Sequence, residues 1–267
     1  MREIFVMATI LKEMKIVIDT VERTLTRQSD GLEWKIDLFT KEGFEALSLE
    51  WVRLGWSLQY YHTFCWFGLP MLQLPEDMIR IQEVIYAIKP AVIIETGIFQ
   101  GGSLIFYASL MEAMGYGRVI GIDLQIPAFV RNNISQHPLA SRITMLEGNS
   151  IDPNIVDRVR ALGGSDGPVL VILDSDHSSK HVAAELELYA PLVTPGSYIV
   201  ATDGIMKDIA DVPRALPEWK NDNPFEAAND FAVRHPEFTQ GQPPWPAHDS
   251  VLTANVTYWP GAWLKRI

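Results

Sequence analysis

A doubly wound α/β sheet is the fold this sequence predicts, and three observations carry the prediction. Apolar, β-branched runs recur at 91–94, 118–123, 142–146, 168–174 and 197–202, each preceded by a helical or loop segment. The first run, Val92-Ile-Ile-Glu-Thr-Gly97, ends in an acid and opens into a glycine-rich turn through Gly97, Gly101 and Gly102. Residues 251–258 and 262–267, on either side of Pro260-Gly261, read as a terminal antiparallel pair. Unbroken runs of Val, Ile and Leu mark strands covered on both faces, so the main sheet is expected to be parallel.

Composition bounds what such a sheet can serve. With 267 residues, 48% apolar and 21% charged, the chain can bury one substantial core and an accessory element. A net charge of −11 argues against nucleic acid and anionic membrane as partners, since both demand basic surfaces. Cys65 is the single cysteine, which excludes an intrachain disulfide and fits a reducing, cytoplasmic setting. No signal-peptide pattern is visible, and no uncharged apolar run reaches the roughly 18 residues of a membrane span.

Taken in order, residues 3–27 carry helix-like apolar spacing that Gly31 interrupts, so 1–74 is expected to be a helical, aromatic-rich extension and 75–267 the main domain. Within the extension, Trp51, Trp56, Tyr60, Tyr61, Phe64, Trp66 and Phe67 crowd together. Two readings stand: a packing or subunit surface, with a homo-oligomer expected, or an apolar wall over the active site. Pro75 starts a helix running to about 87, and Lys89-Pro90 ends it. Beyond the glycine turn, Ser103 is placed to cap a helix reaching about 114. Residues 204–250 are rich in proline, glycine and polar side chains around one helix at about 224–234, which reads as a lid or substrate segment.

The turn itself discriminates between nucleotides. A dinucleotide site needs glycine where this chain has Phe99, whose side chain blocks backbone approach to a pyrophosphate. Asp123 ends the next strand, 26 residues after Gly97, where a carboxylate can accept both ribose hydroxyls of a nucleoside. Asn149 and Ser150 follow the third strand, where small polar groups can approach an adenine. The densest cluster is Leu173-Asp-Ser-Asp-His-Ser178 with Asp203 on the neighbouring strand. Asp174, Asp176 and Asp203 offer hard oxygen ligands that suit Mg²⁺, and His177 beside them suits proton abstraction. The plainer alternative makes the two acids of 174–176 caps of the following helix.

The motif Glu95-Thr-Gly-(x)3-Gly-Gly-Ser103 looks like motif I of class I S-adenosylmethionine (SAM)-dependent methyltransferases, whose Rossmann-like sheet also closes with an antiparallel hairpin. Together with Trp66-Phe-Gly, Lys89-Pro, Leu173-Asp-Ser-Asp-His-Ser, Glu187-Leu-Tyr-Ala-Pro-Leu-Val, Gly196-Ser-Tyr and Trp263-Leu-Lys-Arg, the chain resembles the rhamnosyl O-methyltransferase and cephalosporin hydroxylase family over about 64–267. The resemblance implies SAM at Glu95, Gly97, Gly101, Gly102, Ser103, Asp123, Asn149, Ser150 and Asp174, with Mg²⁺ at Asp203 and at Asp176 or Asp174. Asp176 and Asp174 lie 27 and 29 residues before Asp203, and both spacings occur among relatives, Asp176 being favoured here. Relatives present Glu-Asp on the second strand where this chain has Thr202-Asp203. The implied activity is methylation of a rhamnose-type deoxysugar hydroxyl on a glycosylated secondary metabolite such as an antibiotic, the partner being a small-molecule glycoside. Alternatives are a component of cephalosporin 7α-hydroxylation or methoxylation, or a nicotinamide-dependent oxidoreductase.

Overall fold

A computed structural model describes residues 14–29, 31–163 and 167–267, which group into two compact units. The smaller comprises the described residues up to Val52 with Asp249–Val256; the larger comprises Arg53–His248 and Thr257–Ile267. In the smaller, β1 (Met14–Asp19), β2 (Thr24–Ser29) and β3 (Leu32–Asp37) form an antiparallel meander, and α1 (Lys41–Ser57) follows. The expected helix is therefore wrong over 14–27, while residues 3–13 lie outside the described residues. Thr24-Leu25-Thr26 alternates with the period of a strand and buries Leu25 completely. The Asp19 carboxylate accepts the N–H groups of Val21 and Glu22, closing the turn that a helix would have run through.

The larger unit opens with a short ribbon, β4 (Cys65–Trp66) and β5 (Leu69–Pro70), and α2 (Pro75–Ile88). Then β6 (Val92–Thr96), α3 (Gly102–Met114), β7 (Arg118–Asp123), α4 (Ala128–Ser135), β8 (Ile143–Glu147), α5 (Pro153–Gly163), β9 (Val169–Leu173), α6 (Ser179–Tyr189) and β10 (Tyr198–Ala201) alternate. The short α7 (Met206–Ile209), α8 (Pro224–Arg234), β11 (Phe238–Gln240) and β12 (Trp263–Arg266) complete the order. The sheet runs β11-β12-β10-β9-β6-β7-β8, with β6 to β10 parallel. All five predicted runs fall on these strands. Every residue of β6 and β9 is buried, and each large aliphatic side chain there contributes about 1.5–3 kcal/mol by leaving water.

The terminal pairing differs from the expectation. Residues 251–258 form no strand; β12 instead inserts antiparallel between β10 and β11. Asp77 on α2 holds the approach to β12, accepting the Tyr258 N–H at 2.8 Å and the Thr257 hydroxyl. Burial raises the Asp77 carboxyl to about pKa 8. Between the ordinary carboxylate value and that figure the folded chain holds more protons there than the unfolded chain, so this contribution to stability falls as pH rises through the window. Asp77→Asn, which cannot ionise, is therefore expected to gain on the wild type in melting temperature between about pH 6 and about pH 9. An unchanged difference between the two proteins across that range refutes the assignment.

The chain steps from β6 to β7 and β8 on one side, then returns to β9 and β10 on the other. The carboxyl ends of β6 and β9 mark the reversal, the place where sheets of this kind bind ligands. Gly97 stands there with φ +93°, and a Cβ on it would lie 1.9 Å from the Asp174 carbonyl oxygen. Only glycine lets the two strand ends come so close.

Candidate active site

A cavity of about 840 Å³ opens over these strand ends. Asp123 shapes its glycine turn: Oδ2 accepts the N–H groups of Ile98 at 2.8 Å and Phe99 at 3.0 Å, and Oδ1 accepts that of Gln125. Behind the turn Glu95 is fully buried and takes the Ser103 hydroxyl at 2.8 Å. Burial, reinforced by Asp174, holds the Glu95 carboxyl well above its ordinary pKa. Ser103 is thus not the expected helix cap; left-handed Gly101 occupies that position. Gly97, Gly102, Ser103, Asp123, Asn149 and Ser150 line the cavity, whereas Glu95 and Gly101 do not. Those two act from behind, Glu95 through Ser103 and Gly101 by leaving room for Ile134.

At the other side, Asp174, His177 and Asp203 each offer one ligand atom, all within 4.8 Å of one another. His177 Nε2 lies 3.5 Å from Asp203 Oδ2. Both Asp174 oxygens are held, Oδ1 by the Thr202 hydroxyl at 2.5 Å and Oδ2 by the Gln73 amide nitrogen at 2.7 Å. Burial raises the pKa of Asp174 and Asp203, and for Asp174 the nearby Asp203 charge adds to it. A cation would relieve both effects. Asp203 has left-handed backbone (φ +55°), a conformation found at sites where geometry is imposed.

Asp176, the favoured first ligand, is not in this cluster. Its carboxylate turns to the Ser178 N–H at 2.8 Å, which lowers its pKa, while the Ser178 side chain caps α6. Asp176 thus takes a helix-start role, and it is Asp174 that stands in the cluster with His177 and Asp203. The two carboxylates within this span fit a divalent ion, since oxygens at about 2.0–2.1 Å from Mg²⁺ need only a slight closing of the cluster, with the imidazole beside them.

Of the other lining residues, Gln73, His181 and Trp219 carried no pattern in the sequence, whereas Trp56 and Tyr61 belong to the aromatic stretch. Gln73 reaches Asp174 from 101 residues away, and His181 Nε2 lies 3.0 Å from the Ser150 hydroxyl. Trp56 and Trp219 meet edge to face at 5.2 Å and, with Tyr61, line the cavity. Trp66 is instead packed on Phe106 and donates to the Ser109 hydroxyl, and Trp51, Tyr60 and Phe67 are exposed, so only part of the aromatic stretch lines the cavity.

The family model for Rhamnosyl O-methyltransferase/CmcI matches residues 58–267. Rhamnosyl O-methyltransferase of Mycobacterium leprae (strain TN) is 30% identical over 181 residues, covering 64% of this chain and 77% of that protein. The Mycobacterium tuberculosis (strain ATCC 25618 / H37Rv) protein of the same name is 29% identical over 187 residues, 66% of this chain and 71% of its own. Among solved structures, CmcI with Mg-SAM shares the fold at a TM-score of 0.50, with 20% identity over 77% of each chain. With the family model matched from 58 to the last residue, and the glycine turn and carboxylate strand ends inside that span, the chain belongs to the Rhamnosyl O-methyltransferase/CmcI family of methyltransferases.

Proposed function

We propose that the protein is a SAM-dependent, Mg²⁺-assisted O-methyltransferase acting on a hydroxyl of a rhamnose-type deoxysugar in a glycosylated secondary metabolite. The observation that carries this reading is the meeting of Asp174, His177 and Asp203 in the same cavity as the glycine turn. The sugar is supported by the names of the mycobacterial relatives.

When bound, the donor supplies a sulfonium methyl and the cation a positive charge that lowers the pKa of a hydroxyl held beside it. Asp174 and Asp203 would hold the cation, because Mg²⁺ prefers oxygen ligands, and this would leave the imidazole nitrogen of His177 free to take the hydroxyl proton. Asp203, 3.5 Å away, steadies the imidazolium that results. Asp123, which spans the turn, would take the ribose side of the donor, and Asn149 and Ser150 would take the nucleobase side. Trp56, Tyr61 and Trp219 give the acceptor an aromatic wall on which the apolar face of a deoxysugar can lie.

The test is methyl transfer from isotopically labelled SAM to a rhamnoside, followed by mass spectrometry. Turnover is expected to vanish on exhaustive chelation and to return with Mg²⁺. Full turnover without a divalent ion overturns the metal role, and labelling of other acceptors but no rhamnoside overturns the sugar.

A further inference from the structure

The reaction centre contains one buried polar group that the steps above leave without a task. Gln73 lies in the segment between β5 and α2, 6% exposed, and lines the cavity. Its amide nitrogen donates to Asp174 Oδ2 at 2.7 Å, while its Oε1 is buried without a hydrogen-bond partner. With Asp174 ionised, as a cation ligand must be, the amide presents its nitrogen to the carboxylate, because its oxygen would otherwise face a carboxylate oxygen at the same distance. A buried carbonyl oxygen without a donor costs about 1–3 kcal/mol, so its retention at the cavity wall points to a donor that arrives with a ligand.

The backbone around Gln73 is fixed on both sides. Ahead of it, Met71 donates its N–H to the Phe64 carbonyl at 3.0 Å, and the Pro70 carbonyl presses so closely on Gly102 that a Cβ there would lie 2.2 Å from its oxygen. Behind it, Leu74 accepts the N–H of Asp77 in the first turn of α2. Thus the strap that carries Gln73 is clamped against the glycine turn. On the opposite oxygen of Asp174 stands Thr202, a neutral donor. The carboxylate is therefore gripped by one neutral donor on each oxygen, and its rotation about χ2 is set by the pair.

We propose that Gln73 is a positioning residue of the reaction centre: its N–H fixes the orientation in which Asp174 faces the cation, and its Oε1 accepts a hydrogen bond from an oxygen ligand of that cation, water or acceptor hydroxyl. The inference rests on the metal reading above. Partners that orient a metal ligand in this way are worth about 10–100-fold in metal affinity.

The test needs no acceptor. Mn²⁺ is titrated calorimetrically into wild type and Gln73→Met, a side chain of similar volume with no N–H to donate, and S-adenosylhomocysteine is titrated into both as a control. The expected result is Mn²⁺ binding about 10–100-fold weaker in Gln73→Met, with the S-adenosylhomocysteine affinity of the metal-free protein unchanged. Should that variant not fold, Gln73→Ala is titrated in its place with the same expectation. Mn²⁺ affinity within twofold of wild type overturns the role of Gln73. A wild type that binds S-adenosylhomocysteine but no Mn²⁺ overturns the metal reading beneath it, and the role of Gln73 with it.

Discussion

Replacing His177 with alanine is expected to lower methyl-transfer turnover by about 10²–10⁴-fold, the usual worth of a positioned base, while leaving Mg²⁺ dependence and S-adenosylhomocysteine binding in place. The pattern of losses matters more than their size. His177 stands 3.5 Å from Asp203, at the edge of the cluster, and hard oxygen donors remain to hold the ion when it is removed. A base acts only as the proton leaves, so its loss should appear in kcat and spare donor affinity. Turnover reduced less than tenfold would show that the proton leaves by another route. Loss of Mg²⁺ dependence would make His177 a ligand of the ion.

Gly97→Ala is expected to be among the most destabilising single changes in the protein, by about 3 kcal/mol or more in urea unfolding. Two costs combine. The left-handed backbone at φ +93° costs an L residue about 1–2 kcal/mol, and the new Cβ would lie 1.9 Å from the carbonyl oxygen of Asp174. Gly115→Ala separates them, because φ there is +80° and nothing lies within 4 Å of the added carbon. Gly97→Ala should exceed Gly115→Ala by at least about 1 kcal/mol and, by displacing Asp174, should also abolish turnover in whatever fraction stays folded. Equal losses at the two positions would mean that the strand ends separate freely.

What the sequence disclosed follows from how each part is encoded. β6 to β10 are legible because strands buried on both faces must be unbroken apolar runs, and the turn after β6 because its backbone needs glycine. Residues 14–27 misled because short strands with polar and apolar residues intermixed also satisfy helical spacing at many positions. In 174–176 two acids two residues apart would share a face if the strand continued; β9 ends at Leu173, and the turn beyond it directs Asp176 to the Ser178 N–H. Asp123 and Asp203 were readable as strand-end acids. Trp56 and Tyr61 were readable as one of two alternatives for the aromatic stretch; Gln73 and Trp219 were not, since a lone amide or a tryptophan far along the chain has no local pattern, and only the packing of the strap and of 206–220 brings them to the cavity.

The place of β12 bears on how the molecule reaches its native state. This strand is last in sequence order but occupies an interior slot, so β11, which precedes it, has no neighbour in the sheet until β12 has threaded between it and β10. Such a pairing closes a long loop and delays the reward for closing it. Before that step, the backbone groups of β10 along one side stand open as an edge that another molecule could extend. Slow refolding and a concentration-dependent tendency to aggregate would then be properties of this late insertion rather than of the parallel strands.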